Sequence, residues 1–322
     1  MTGVAVQKEA GDAVGRGRRG MIIFLIVLAA AAVIFFLFAW WMAGFVMAKG
    51  TRHTLEESLK WQADYYDLTF YEELEKEDYI VKGYEDYELH VHFLKNPVPT
   101  DKYMILTHGY TDTHIGSLKY VKNYLELGFH CIVYDLRGHG ENEAACTTYG
   151  VYEAQDLMKV IGDTEKRFPE LKMLGLHGES LGAATTLTCL KYKPKVDFAV
   201  VDCPFSDIEN VLRGAYRSYH LPAGLVNVAD FGSKMRYRLS ILKMRPIDSL
   251  DENEVPILFM HGADDTFIVP KNSYDCAART KGYSEVWLFE KAPHAMSVLI
   301  QPKEYREKLE AFLKNHVAGY GE

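Results

Sequence analysis

The sequence predicts an α/β domain behind one membrane-spanning helix. Three observations predict it. Gly178-Glu179-Ser180-Leu181-Gly182 sits between an apolar run and a helix-like run. Short apolar runs alternate with stretches of helical spacing as far as the C-terminus. The stretch from Gly20 to Ala48 carries no charge.

The elements follow in chain order. Residues 1–19 read as a tail holding Lys8, Arg16, Arg18 and Arg19. Residues 20–48 form an uncharged run of 29 residues. As a helix this run is roughly 43 Å long at about 1.5 Å per residue, more than the roughly 20 residues a bilayer core requires. Trp40 and Trp41 lie toward its end, where interfacial aromatics belong. Only Lys49 and Arg52 follow closely, so the excess of positive charge places the N-terminus in the cytoplasm and the following domain outside it. Val46-Met47-Ala48 offers a cleavage site, but a secretory apolar core runs only about 7–15 residues, which favours an uncleaved signal anchor. No Cys follows the run closely, against a lipoprotein.

Residues 49–78 are acidic and rich in Tyr, and Leu55, Leu59 and Trp61 predict a short helix packing back onto the domain. The domain itself is expected over 79–322. Strands are expected near 89–94, 103–107, 130–135, 172–177, 198–202, 256–261 and 285–290, with helices between them. Apolar spacing is helical over 152–167 and 303–316. No internal repeat or low-complexity run is present.

The chain has 322 residues and a net charge of −8. The first 48 residues carry +2, which leaves −10 on the rest and argues against a nucleic-acid partner. The five Cys form no disulfide-rich pattern: Cys131, Cys189 and Cys203 fall in core elements, and Cys146 and Cys276 read as exposed.

Strand, sharp turn and helix around G-x-S-x-G make Ser180 a candidate nucleophile. The turn has no room for flanking side chains, and it aims the Leu181 N–H at the place where an oxyanion would form. A Ser hydroxyl requires a base, and that base is usually a His oriented by a carboxylate. Four His follow Ser180: His220, His261, His294 and His316. His294 lies in the loop Lys291-Ala292-Pro293-His294 after a strand and is the candidate base. His261 ends a strand and reads as structural, His316 reads as exposed in the last helix, and His220 is second choice. For the acid, the loop after 256–261 offers Asp264 and Asp265. Asp265 is chosen, three residues after Gly262 and before Ile268-Val269-Pro270, with Asp202 as a further alternative.

These segments together resemble the α/β-hydrolase superfamily, specifically its serine hydrolases. Two more stretches join the resemblance: His108-Gly109-Tyr110 after one strand, and Asp135-Leu136-Arg137-Gly138-His139-Gly140 after another. The chain looks most like bacterial membrane-anchored members with one hydrophobic helix before the domain. The resemblance covers roughly 79–317. It implies a mostly parallel central sheet with helices on both faces, and an oxyanion hole that adds the Tyr110 N–H to that of Leu181. A Ser at the elbow argues against the branches that use Asp there. His108 and His139 sit at tight turns without partners at ligand spacing, so turn hydrogen bonding is preferred over a metal. Glu179 reads either as touching substrate or as solvated.

Between the expected strands at 198–202 and 256–261, the resemblance implies a small helical cap at about 206–247. From Arg213 to Arg245 it holds seven Lys/Arg against one acid, Asp230. This reads either as a solvated basic face or as a surface for anionic lipid or an anionic substrate. The function implied is a membrane-anchored serine hydrolase of carboxylic esters or thioesters, acting on a small-molecule or lipid-like acyl substrate without cofactor or metal. A peptidase or amidase with the same triad, and a non-catalytic binding module on the same fold, are the alternatives.

Overall fold

The computed structural model describes residues 2–47 and 52–321, with side chains from residue 18 onward. Ala48 and Lys49, at the expected end of the anchor, and the side chains of Lys8 and Arg16 lie outside the described residues.

Helix α1 (Thr2–Met47) contains the expected apolar span, and Arg18–Met47 is long and apolar enough to cross a membrane. Helix α2 (Leu55–Tyr65) starts at a capping box in which Thr54 and Glu57 satisfy each other's backbone N–H. After α3 (Thr69–Glu73) comes β1 (Lys76–Lys82), an edge strand that the sequence reading missed. Its residues are mostly exposed, so no apolar alternation marks it. It also begins before the expected domain start at 79.

The remaining elements alternate as expected. β2 (Glu88–Leu94) and β3 (Lys102–Thr107) lead to α4 (Leu118–Glu126), β4 (His130–Tyr134) and α5 (Val151–Arg167). Then follow β5 (Met173–Glu179), α6 (Leu181–Cys189) and β6 (Phe198–Asp202). Helices α7 (Ile208–Ser218) and α8 (Leu225–Arg236) fall in the region expected to be a cap. β7 (Ile257–Gly262), α9 (Lys271–Arg279), β8 (Ser284–Phe289), α10 (Ser297–Ile300) and α11 (Pro302–His316) complete the domain.

The eight strands form one sheet in the order β1-β2-β4-β3-β5-β6-β7-β8. β1, β2 and β4 pair antiparallel, and every pairing from β4 to β8 is parallel. Parallel strands covered on both faces read as near-continuous apolar runs, and β4 and β6 are buried throughout. Alternation still decides which face each side chain takes. Ile105, Ile132, Val201 and Phe259 join one core with α5, α6 and the end of α1. Leu106, Val133, Val200 and Met260 join the other with α4 and α11. Residues from α2 and α3 pack on that second core through Leu55, Phe70 and Tyr71, so the segment after α1 folds back onto the domain as expected. β4 and β5 flank β3 on opposite sides, which opens a crevice at the carboxyl ends of the parallel strands.

Candidate active site

The elbow is built from backbone first. Ser180 has φ 51° and ψ −108°, a conformation that a side-chain-bearing residue adopts at a cost. A Cβ on Gly178 would lie 2.3 Å from the Gly182 carbonyl oxygen, and one on Gly182 would lie 2.1 Å from that of Thr107. Both glycines are therefore required by the close passage of β5, α6 and β3. Leu181 opens α6, so its N–H has no acceptor within the helix.

Two loops converge on the Ser180 hydroxyl. His294, after β8, brings Nε2 to 3.0 Å from Ser180 Oγ, and its Nδ1 lies 2.6 Å from Asp265 Oδ2. The carboxylate can only accept, so Nδ1 carries the proton and Nε2 is left to accept from the hydroxyl. Asp265 Oδ1 meanwhile accepts from the N–H groups of Phe267 and Ile268 at 2.9 and 2.8 Å. Burial disfavours the charged form of Asp265, but hydrogen bonds from His261 and His294 prevail and hold its carboxyl well below the usual range. Gly262 lets the two loops touch, since a Cβ there would lie 2.1 Å from the Ala292 carbonyl oxygen. A hydroxyl, a base and a buried orienting carboxylate in this line can pass a proton from Ser180 to His294.

The other sequence candidates fall elsewhere. His261 Nε2 donates to the Ile268 carbonyl at 2.6 Å and lies 3.3 Å from Asp265 Oδ2, and its Nδ1 meets Ser273 Oγ at 2.7 Å, so it braces the Asp265 loop. His220 is exposed in the turn after α7, and His316 stacks on Tyr283. Asp264 is exposed. Asp202 lies behind the elbow, where its carbonyl oxygen accepts from the Ser180 N–H at 2.9 Å. The His108-Gly109-Tyr110 turn passes over the elbow, and a Cβ on Gly109 would lie 3.7 Å from the Ser180 Cβ. His108 accepts from the Leu136 N–H at 2.9 Å, and His139 Nδ1 lies 2.9 Å from the Arg137 carbonyl oxygen, both turn roles.

Glu179 is not solvated. It is buried against Lys119 Nζ at 2.5 Å and accepts from the Tyr120 hydroxyl at 2.7 Å. Tyr120 also reaches Asp202 at 3.1 Å, and Lys119 donates to the Ala295 carbonyl at 3.0 Å. One ionic cluster thus ties the elbow to the His294 loop. Its members come from α4, β5 and β6, so no local pattern announced it. Cys203, read as a core residue, sits with φ 45° and Sγ 4.0 Å from His294 Nε2. Its place at the carboxyl end of β6 is the signal that could have found it. Burial keeps its thiol protonated. Cys276 is buried, contrary to expectation. Phe267 is exposed and packs edge-on to His294 at 5.2 Å, which gives the site an apolar lip.

Among the described residues, two groups bring metal-ligand atoms within 4.8 Å of one another. One, Cys203, Asp265 and His294, belongs to the site just described. The other joins His92, His114, Asp135 and Glu141. There Asp135 accepts from the N–H groups of His114 and Glu141 at 2.7 and 2.9 Å, and His92 Nδ1 meets Asp78 at 2.8 Å. These contacts fasten β1, β2 and the loop after β4 to one another.

Part of the basic charge between Arg213 and Arg245 is neutralised locally. Arg213 pairs with Glu209, Lys234 with Asp230, and Arg245 with Asp248. Among the described residues, no ion pair is formed by Arg217, Arg238 or Lys243.

A mostly parallel sheet with a Ser at the strained turn after β5, and with Asp and His loops after β7 and β8, defines an α/β hydrolase. Residues 98–244 match the family described as serine aminopeptidase, S33. The uncharacterized protein YqkD of Bacillus subtilis is 31% identical over 272 residues, which cover 82% of this chain and 88% of that protein. An esterase of Pyrococcus furiosus superposes with a TM-score of 0.63 at 21% identity, over 77% of this chain and 94% of that one. The acylaminoacyl peptidase of Pyrococcus horikoshii gives 0.59 at 14%, over 78% of this chain and 43% of that one. The chain belongs to the α/β-hydrolase superfamily.

Proposed function

We propose that the protein is a membrane-anchored serine hydrolase that cleaves carboxylic esters or thioesters. Ser180 attacks the acyl carbon as His294 takes its proton, and Asp265 orients His294 and stabilises its imidazolium form. The N–H groups of Tyr110 and Leu181 hold the oxyanion. His294 then protonates the leaving alcohol or thiol, and water, deprotonated by the same His, releases the acid and restores Ser180. The observation that carries this reading is the hydrogen-bonded line from Asp265 through His294 to Ser180 at a strained elbow. Residues 20–48 serve as the anchor, with the N-terminus cytoplasmic and the domain on the other side. The charge asymmetry about the apolar run supports that orientation.

The test is hydrolysis of p-nitrophenyl esters from acetate to palmitate by the full chain, beside Ser180→Ala. The variant should lose activity by about ten-thousand-fold. A folded wild type inert on every ester would sink the ester reading. The match to the S33 aminopeptidase family favours a second reading, cleavage of amides by the same residues. Turnover of aminoacyl-p-nitroanilides above that of esters would decide for it.

A further inference from the structure

The end of α1 is part of the folded domain. Ala39, Met42, Ala43, Val46 and Met47 are buried, and the surface they meet is α8. Gly232 lies so close that a Cβ there would sit 1.8 Å from the Ala39 carbonyl oxygen. Arg236 lies over Gly44 and the Trp40 ring and donates to the Trp40 carbonyl at 3.3 Å. The last carbonyls of α1 are also taken: Val46 accepts from the Tyr149 hydroxyl at 2.5 Å and Met47 from the Thr147 N–H at 2.7 Å.

This seam fixes a depth. Phe231 of α8 packs on Phe35 and Phe36, at ring distances of 5.6 and 5.7 Å. Phe36 precedes Trp40 by one turn, about 5–6 Å along the axis. If Trp40 and Trp41 mark the interface, Phe231 sits below it, at the depth of an interfacial helix, about 5–10 Å into the headgroup and acyl boundary. The outward side chains suit that place: Phe231 and Met235 are over a third exposed, with Lys234, Arg236 and Arg238 around them.

The site lies one layer behind the seam. Tyr149, which holds the Val46 carbonyl, has its ring 6.3 Å from that of Tyr110, the residue after the turn over Ser180. We propose that α8 lies within the membrane interface beside the anchor, and that the Ser180 site takes long-chain acyl esters laterally from that leaflet. The substrate part rests on the ester-cleaving reading.

Two experiments on the full chain in phosphatidylcholine–phosphatidylglycerol vesicles test it. The first places a nitroxide at Met235→Cys in a Cys146→Ser background, the other cysteines being buried. The label should meet oxygen in preference to an aqueous nickel chelate, compared with a label at the exposed Lys191→Cys. Equal accessibility at the two positions would overturn the embedding. The second compares wild type with Phe231→Asp on p-nitrophenyl butyrate in solution and on a long-chain diacylglycerol within the vesicles. The variant should keep the soluble activity and lose the bilayer activity by at least about tenfold. Both activities unchanged would overturn the inference and leave the ester reading standing. A wild type inert on both substrates would sink the ester reading, and the substrate part with it. Should Phe231→Asp lose both through misfolding, Met235→Asp, at an exposed side chain, repeats the comparison under the same criteria.

Discussion

The elbow at Ser180 and the seam between α1 and α8 both depend on a glycine facing a carbonyl oxygen. At Gly182 the oxygen belongs to Thr107, and at Gly232 it belongs to Ala39. The surroundings differ. The elbow is locked between buried strands and rests on the charged Lys119–Glu179 pair. The seam is a helix crossing of small and apolar residues, one side of which carries exposed Phe and Met. The first can give way only by moving the sheet. The second can give way by sliding one helix along another.

Gly182→Val should therefore produce the largest effect. The added carbons must displace the end of β3 or the start of α6, and neither is free to move. A destabilisation of about 3 kcal/mol or more is expected, read from denaturant midpoints, together with loss of ester hydrolysis. A variant that keeps both would mean the elbow is more pliable than its contacts imply.

Gly232→Leu strikes the seam with a larger side chain at an even closer contact. Because the helices can separate, the cost should be only about 1–3 kcal/mol, seen as a lower melting temperature in detergent. Hydrolysis of a short soluble ester should survive in large part. A loss matching that of Gly182→Val would make α1 as integral to the site as the elbow is.

The same contrast explains what could be read from the sequence. Ser180 and its glycines are contiguous, and the turn they require is a local property, so the pattern is visible in five residues. Asp265 and His294 stand in loops that follow recognisable buried strands, so their positions relative to the sheet could be reasoned out. The seam joins Trp40 to Arg236, which are 196 residues apart, and the sequence shows only an apolar run at one end and a basic, aromatic stretch at the other. β1 escaped because its side chains are mostly exposed and show no apolar alternation. Of the two readings of Glu179, the solvated one failed because a Glu beside a turn looks solvated until its Lys119 partner, on another element, is seen.

Charge offers the finest separation of the two regions. The apolar contact of the seam is made by Ala39, Met42, Ala43, Val46 and Gly232, none of which titrates. Behind the elbow, the Asp202 carboxyl is pushed up to about 6, by burial first and by the nearby Glu179 carboxylate second. An ordinary Asp titrates near about 3.9. A carboxyl with a raised folded-state pKa contributes stability while protonated and loses that contribution as pH rises from about 4 through about 6. Asp202→Asn cannot ionise. Relative to wild type it should gain stability across that window and hold the gain above it, in denaturant melts taken between pH 4 and 8. The difference between Gly232→Leu and wild type should stay flat over the same range. A flat Asp202→Asn difference would show that Lys119 and the Tyr120 hydroxyl compensate the Asp202 charge in full, and that the elbow is no more sensitive to pH than the seam.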